Sequence, residues 1–209
     1  MNTDQSFVLL VDDDLNVREA VSNLLSSMGF WVTSFGSAEE FLGYPKPEAP
    51  TCLILDLELP NINGLELQQR LAACVPPPII FITGHGDVPS SVRAMKAGAI
   101  EFLSKPIGDQ ELLEAVELGI AIDRKARETA TKVADLQKHY DSLTPREREV
   151  LPFVVAGFAN KLTASALGKS EITIGVLRGR LMRKMGAQSL ADLVRMSDKL
   201  GVARALRPS

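Results

Sequence analysis

The chain has 209 residues, 45% of them hydrophobic, and a formal net charge of −3, which suits one long or two ordinary globular domains and excludes a disordered or collagen-like polymer. It contains no run of about 18 apolar residues and does not open on a basic region, apolar stretch and small-residue cleavage site, so a cytoplasmic protein with no membrane partner is expected. Cys52, Cys74, His85 and His139 are too few and too scattered for a disulfide framework or a zinc-ligand spacing.

The small net charge hides an uneven distribution. Residues 1–123 hold 6 Lys/Arg against 18 Asp/Glu, a balance of −12, whereas residues 142–209 hold 12 against 5, a balance of +7. Opposite signs imply two domains with different partners, and the basic one is a candidate for a polyanion such as nucleic acid.

In chain order, apolar runs at 7–11, 30–35, 51–55, 78–82 and 100–103 read as strands, interleaved with helical patterns such as Val17-Ala20-Val21-Leu24-Leu25 and Leu65-Leu67-Leu71. Strand–helix alternation predicts an α/β domain with a parallel five-stranded sheet, and the flavodoxin-like order 2-1-3-4-5 sets the ends of strands 1 and 3 side by side. Asp12-Asp13-Asp14 closes the first run and Asp56 the third, so carboxylates are expected to converge on one sheet edge, where their repulsion would raise their pKa values or recruit a cation. Thr83 and Lys105 fall at the same edge after the fourth and fifth runs. The chemistry that uses this set is phosphoryl transfer: Asp56 as nucleophile, Asp12 and Asp13 on Mg²⁺, Lys105 balancing phosphoryl charge and Thr83 offering a hydroxyl. Singly, each residue also reads as a helix cap or a solvated charge.

These residues carry a resemblance to the receiver domain of two-component response regulators: Val11-Asp12-Asp13-Asp14, Leu55-Asp56-Leu57-Glu58-Leu59-Pro60 with Gly64 four beyond, Ile82-Thr83-Gly84-His85-Gly86-Asp87 and Leu103-Ser104-Lys105-Pro106. The resemblance spans residues 6–122. It implies that Asp56 accepts phosphate from a sensor histidine kinase, that Asp12, Asp13, Asp56 and the Glu58 backbone carbonyl hold Mg²⁺, and that Lys105 contacts the phosphate across a cis Lys105–Pro106 bond. It also implies that Thr83 and Phe102 form the switch. Asp14 receives no metal role, and the Glu58 side chain and His85 are candidates for tuning loss of the phosphate.

Residues 109–140 contain no Pro and one Gly, with an apolar stripe at Leu112, Val116, Ile120, Val133, Leu136 and Tyr140 broken around Asp123-Arg124-Lys125. A long helix is expected to run from a receiver domain at 1–122 through a helical linker at 123–141, either as a solvated spacer or as a paired coiled coil.

From residue 142 the pattern is all helical. Thr144, Pro145 and Glu147 make a capping box with Pro in the first turn, and further helices are expected near 160–167, 171–185 and 189–200, with Gly168 and Gly186 at turns. Short helices, a tight Gly turn and the basic balance point to a helix-turn-helix DNA-binding domain at 142–209. In 171–185, Ile174, Leu181 and Met185 fall on a packing face with Leu177 and Arg178 at its edges, and Ile172, Val176, Gly179, Arg180 and Arg183 fall opposite.

This half resembles the LuxR-type output domain of the NarL/FixJ response regulators through Leu143-Thr144-Pro145-Arg146-Glu147-Arg148-Glu149-Val150-Leu151, Asn160-Lys161, Ala166-Leu167-Gly168, Ser170-Glu171-Ile172-Thr173 and Met182-Arg183-Lys184-Met185. One departure stands out: where recognition helices of that family usually carry a Lys and a His flanking a Val, this chain has Gly175 and Leu177 around Val176. The remaining DNA-contacting candidates are Thr173, Val176 and Arg180 toward bases, with Lys161, Arg178, Arg183 and Lys184 toward phosphate.

The expected function is a phosphorylation-dependent transcription regulator, not an enzyme. Phosphorylation at Asp56 would let the face formed by the fourth helix, fifth strand and fifth helix pair into a homodimer that binds promoter DNA at two half-sites, with RNA polymerase a further candidate partner. Gly175 and Leu177 motivate a rival, a signalling module acting through protein partners with impaired DNA binding. A third reading, an enzyme turning over a diffusible phosphate ester, uses the same acid cluster.

Overall fold

The runs Phe7–Val11, Thr51–Asp56 and Ile79–Thr83 are apolar almost throughout rather than alternating, the pattern of strands covered on both faces. In the computed structural model, which describes residues 5–72, 76–84 and 87–205, they lie in the middle of a parallel sheet. Cys74 and His85 fall outside the described residues. Residues up to Arg127 form one compact unit and those from Glu128 onward a second.

The first unit runs β1 (Phe7–Val11), α1 (Leu15–Ser27), β2 (Trp31–Phe35), α2 (Ala38–Leu42), β3 (Thr51–Asp56), α3 (Gly64–Leu71), β4 (Ile79–Thr83), α4 (Val88–Lys96) and β5 (Glu101–Ser104), and α5 (Asp109–Asp141) starts in it. The strand order is β2-β1-β3-β4-β5, the expected flavodoxin-like order. Leu9, Val11, Leu53, Leu55 and Phe81 meet Phe41 and Leu67 on one face, and Val8, Leu10, Ile54, Ile80 and Ile82 meet Leu25 and Val116 on the other. Cys52 belongs to the second face, and burial pushes its thiol up to about 12, which leaves it an inert core group.

The stripe on α5 serves two cores. Leu112, Val116 and Ile120 are buried against the sheet, whereas Leu136 and Tyr140 pack on the core of the second unit. The break in the stripe marks that change of core. Asp123, expected to open the linker, is buried in the first unit: its Oδ2 accepts the Thr51 N–H at 2.8 Å and the Arg127 Nε–H at 2.6 Å, while Arg127 also donates to the Pro47 carbonyl at 3.1 Å. The split at Arg127/Glu128 therefore falls inside the segment expected as linker.

The second unit adds α6 (Pro145–Val155), α7 (Asn160–Leu167), α8 (Glu171–Met185) and α9 (Leu190–Lys199) around Val150, Leu151, Val154, Ile174, Leu181 and Leu193. The capping box forms as its spacing predicts, Thr144 Oγ1 accepting the Glu147 N–H and Glu147 accepting the Thr144 N–H. Gly168 (φ 61°) and Gly186 (φ 70°) end α7 and α8 in the left-handed conformation that glycine adopts without a Cβ penalty.

Candidate functional site

Parallel register brings the acids together. Val11 pairs with Leu55, so the next residues, Asp12 and Asp56, leave adjacent strands at the same level; Asp56 in turn pairs with Ile82, and Thr83 with Ser104. One carboxylate oxygen from each of Asp12, Asp13 and Asp56 lies within 4.8 Å of the others. Asp12 is fully buried and Asp56 nearly so, whereas Asp13 is exposed. Asp14 turns away to cap α1, its Oδ1 accepting the Asn16 N–H at 2.8 Å.

Lys105 reaches across from the end of β5. Its Nζ donates to Asp56 Oδ2 at 2.7 Å and lies 2.6 Å from Asp12 Oδ2. Asp56 Oδ1 accepts the Glu58 N–H at 3.0 Å, and Asp12 Oδ1 accepts the Asp14 N–H at 2.9 Å. Arg18 donates to the Asp12 carbonyl at 2.7 Å and holds this turn from α1. Burial raises the Asp12 carboxyl above the usual carboxylate range, and the facing Asp56 adds to the rise, against the opposing pull of Lys105 and the Asp14 N–H. Burial also pulls the Lys105 ammonium down, but the two carboxylates outweigh it and its affinity for the proton is raised.

Three carboxylates against one ammonium leave negative charge in excess. The buried Asp12 Oδ2 has the Lys105 ammonium, 2.6 Å away, as its neighbour. An oxygen-only donor set of three clustered carboxylates fits a hard divalent cation such as Mg²⁺.

Two expected residues take their places beside the acids. Thr83 is fully buried at the end of β4, its carbonyl accepting the Lys105 N–H at 2.7 Å. Phe102 on β5 is half-buried, with its ring centroid 6.3 Å from that of Phe81, and the Lys105–Pro106 bond is cis as expected. Gly64 has a role the sequence did not expose: a Cβ there would overlap the Asp56 carbonyl oxygen and lie 2.9 Å from Phe81 Cε1. Only glycine lets α3 start this close to the end of β3.

In the second unit α8 buries Ile174, Leu177, Leu181 and Met185. Leu177 is therefore a core residue rather than an edge one, buried except where it touches the floor of the cleft beside α8. Thr173, Val176, Gly179, Arg180 and Arg183 are exposed, as is Lys161 on α7. A cleft of about 580 Å³ runs beside α8, where Thr173, Val176 and Arg180 meet Arg146 and Lys169. Sequence reading did not single out those last two cations; Arg146 stood inside the LuxR-type motif, and Lys169 had only the net charge of the half as its signal. Arg178 is half-buried and donates to the Phe158 carbonyl at 3.3 Å.

Lys184 is held inside the unit. Its Nζ donates to Glu147 Oε2 at 2.7 Å and to the Ser142 carbonyl at 3.0 Å. Glu147 is almost fully buried; burial works to raise its carboxyl, but Lys184 and the Thr144 backbone and hydroxyl prevail and hold it below its ordinary value of 4.5. A carboxyl held low in the folded state stabilises that state fully above its unfolded value, and the contribution is lost as pH falls through the folded value. Thermal melts taken downward from pH 7 should therefore show the second unit weakening below pH 4.5 in the wild type and less so in Glu147→Gln. Lys184→Met should cost about 2 kcal/mol at pH 7 by leaving Glu147 buried without its cation.

A sheet edge whose clustered acids could hold a cation, followed by a basic all-helical unit, is the layout of a signal-receiving regulator of nucleic acid. The comparisons with known proteins agree. The family profile "Response regulator receiver domain" matches residues 8–117 and "Bacterial regulatory proteins, luxR family" matches residues 141–197. Nodulation protein W of Bradyrhizobium diazoefficiens is 48% identical over 200 residues, covering 95% of this chain and 88% of that protein. Transcriptional regulatory protein FixJ of the same species is 39% identical over 201 residues, covering 96% and 98%. Among solved structures, response regulator StyR matches with a TM-score of 0.83 at 45% identity, covering 93% of this chain and 99% of that one. The chain belongs to the NarL/FixJ family of two-component response regulators, with a receiver domain and a LuxR-type DNA-binding domain.

Proposed function

We propose that Asp56 is the phosphoacceptor and that its phosphorylation promotes dimerisation and promoter binding. The observation that carries this reading is the pairing of Asp56 Oδ2 with Lys105 Nζ at 2.7 Å, beside the excess carboxylates of Asp12 and Asp13. A phosphoryl group moves from a phosphohistidine nitrogen of the kinase to an Asp56 carboxylate oxygen; the N–P bond breaks as the O–P bond forms. Asp12, Asp13, Asp56 and the Glu58 carbonyl would hold Mg²⁺, which supplies positive charge for the phosphoryl oxygens. Lys105, whose Nζ lies 2.7 Å from Asp56 Oδ2, supplies more. Thr83 donates its hydroxyl to the new phosphate, and Phe102 follows it inward, a shift between two packed states.

Outward, α4 exposes Val88, Val92 and Met95 in one i, i+4, i+7 row, and α5 exposes Leu118 and Ile122. These apolar rows support dimerisation through α4, β5 and α5. Arg180, Arg183, Lys161, Arg178, Thr173 and Val176 remain the proposed DNA contacts, joined by Arg146; Lys184 is withdrawn because Glu147 and Ser142 hold it, and Lys169 is not added because Glu149 holds it at 2.7 Å. The burial of Leu177 also removes half of the ground for a module without DNA binding. A cytoplasmic location and contact with RNA polymerase follow from this reading as a transcription regulator.

Incubation with Mg²⁺ and a small-molecule phosphodonor tests it. One hydroxylamine-sensitive label per chain, a shift from monomer to dimer in light scattering and tighter promoter binding are expected, all lost when Mg²⁺ is chelated. Continuous turnover of the donor with no stable label would favour the phosphate-ester enzyme instead.

A further inference from the structure

Two interior glycines on α8 lack any use in the fold. Among the described residues, a Cβ added at Gly179 would meet nothing within 4 Å, and one at Gly175 would meet only Asn160 Nδ2, at an ordinary 3.5 Å. Neither carries a positive φ. Alanine is the better helix former at both, because glycine loses more backbone freedom on folding. The fold thus gives no reason for the missing side chains, and both gaps open onto the recognition face or its margin.

The rest of that face is unusual for a surface meant to meet a polyanion. Its seam runs Ile172, Val176, Gly179, Arg183 at i, i+4, i+7, i+11, with Ile172 82% and Val176 48% exposed. Cations stand at the sides, where Arg146, Lys169 and Arg180 line the cleft that also holds Val176. Apolar and small residues in the centre with cations at the flanks match a major groove, whose walls are phosphate and whose floor carries thymine methyl groups. Lys169 is paired with Glu149 at 2.7 Å, but a protein partner would match the centre and still have to supply acidic groups for Arg146 and Arg180.

We propose that Gly175 and Gly179 let the α8 backbone approach the base pairs more closely than side chains would allow, which seats Val176 on a thymine methyl. Specificity at that base pair then comes from apolar fit to thymine rather than from a Lys or Arg hydrogen-bonding a guanine. This rests on α8 being the helix that enters DNA.

The experiment uses the full chain, phosphorylated in Mg²⁺, and duplexes selected from a random-sequence pool. Gly179→Ala and Gly175→Ala should melt higher, with a folded-to-unfolded ratio up by about fivefold. They should bind random duplex with unchanged affinity and salt slope, yet lose about tenfold or more on the selected site, as a displaced contact surface requires. Replacing thymine by uracil, one position at a time, should weaken the wild type about fourfold at one or more positions, the equivalent of one lost methylene contact. Val176→Ala should be indifferent to that replacement. Unchanged binding of the glycine variants to the selected site, or indifference of the wild type to uracil, overturns the proposal while leaving DNA recognition by α8 intact. Recovery of no common sequence from the pool overturns both.

Discussion

Asp56→Asn is expected to reduce phosphoryl labelling by at least about a thousandfold, to background, because a neutral amide oxygen is a far weaker nucleophile than a carboxylate and gives no stable acyl phosphate. The fold should survive. Asn keeps an oxygen for the Glu58 N–H, and the substitution removes one of two nearly buried carboxylates that share Lys105. Two carboxylates so placed repel each other, so Asp56→Asn should melt no lower than the wild type in the absence of Mg²⁺. Loss of label with an unchanged or raised melting temperature separates a chemical role from a structural one. An undiminished label would move the phosphoacceptor elsewhere.

Gly64→Ala should be the most damaging small substitution in the first unit. A Cβ there overlaps the Asp56 carbonyl oxygen, lies 2.9 Å from Phe81 Cε1 and 3.1 Å from Leu57 Cα. Two of those three neighbours are backbone, and Phe81 is fully buried, so none can swing aside as a flexible side chain would. Overpacking of this kind costs about 3 kcal/mol or more when the backbone must move. The end of β3 is what must move, so the variant should lose labelling of Asp56 as well as stability. Chemical denaturation and the labelling assay, run on the same preparation, check both. Gly119→Ala offers a milder comparison: its Cβ meets the Cys52 side chain at 2.5 Å, far from the acids. It should lower stability and leave labelling intact.

The receiver half was legible because its chemistry is tied to strand ends. In a parallel sheet of known order, a residue's position relative to the end of its apolar run sets its place on the edge, and Asp12, Asp56, Thr83 and Lys105 all follow from that rule. The caps and turns were legible for a similar reason, since Thr144, Glu147, Gly168 and Gly186 act through their own local backbone. Less could be read where a side chain is claimed by a distant one. Lys184 looked like a phosphate contact at the end of a basic helix, yet Glu147, far away in sequence, captures it. Leu177 looked marginal on a helical wheel because the width of a buried face depends on what packs against it, and the surrounding helices of the second unit extend it.

By itself, the order of residues determined the strands, the helices, the two-domain charge division and the set of acids and polar groups that meet at one sheet edge. These depend on hydrophobic period, turn chemistry and local capping, which act over a few residues. Only the tertiary structure decided that Asp123 belongs to the first unit, that Lys184 is held by Glu147, that Gly64 is sterically required and that Gly175 and Gly179 are not. The physical reason is that pairing of buried charges and the space available to a Cβ are properties of groups brought together by folding, and nothing in their spacing along the chain records them.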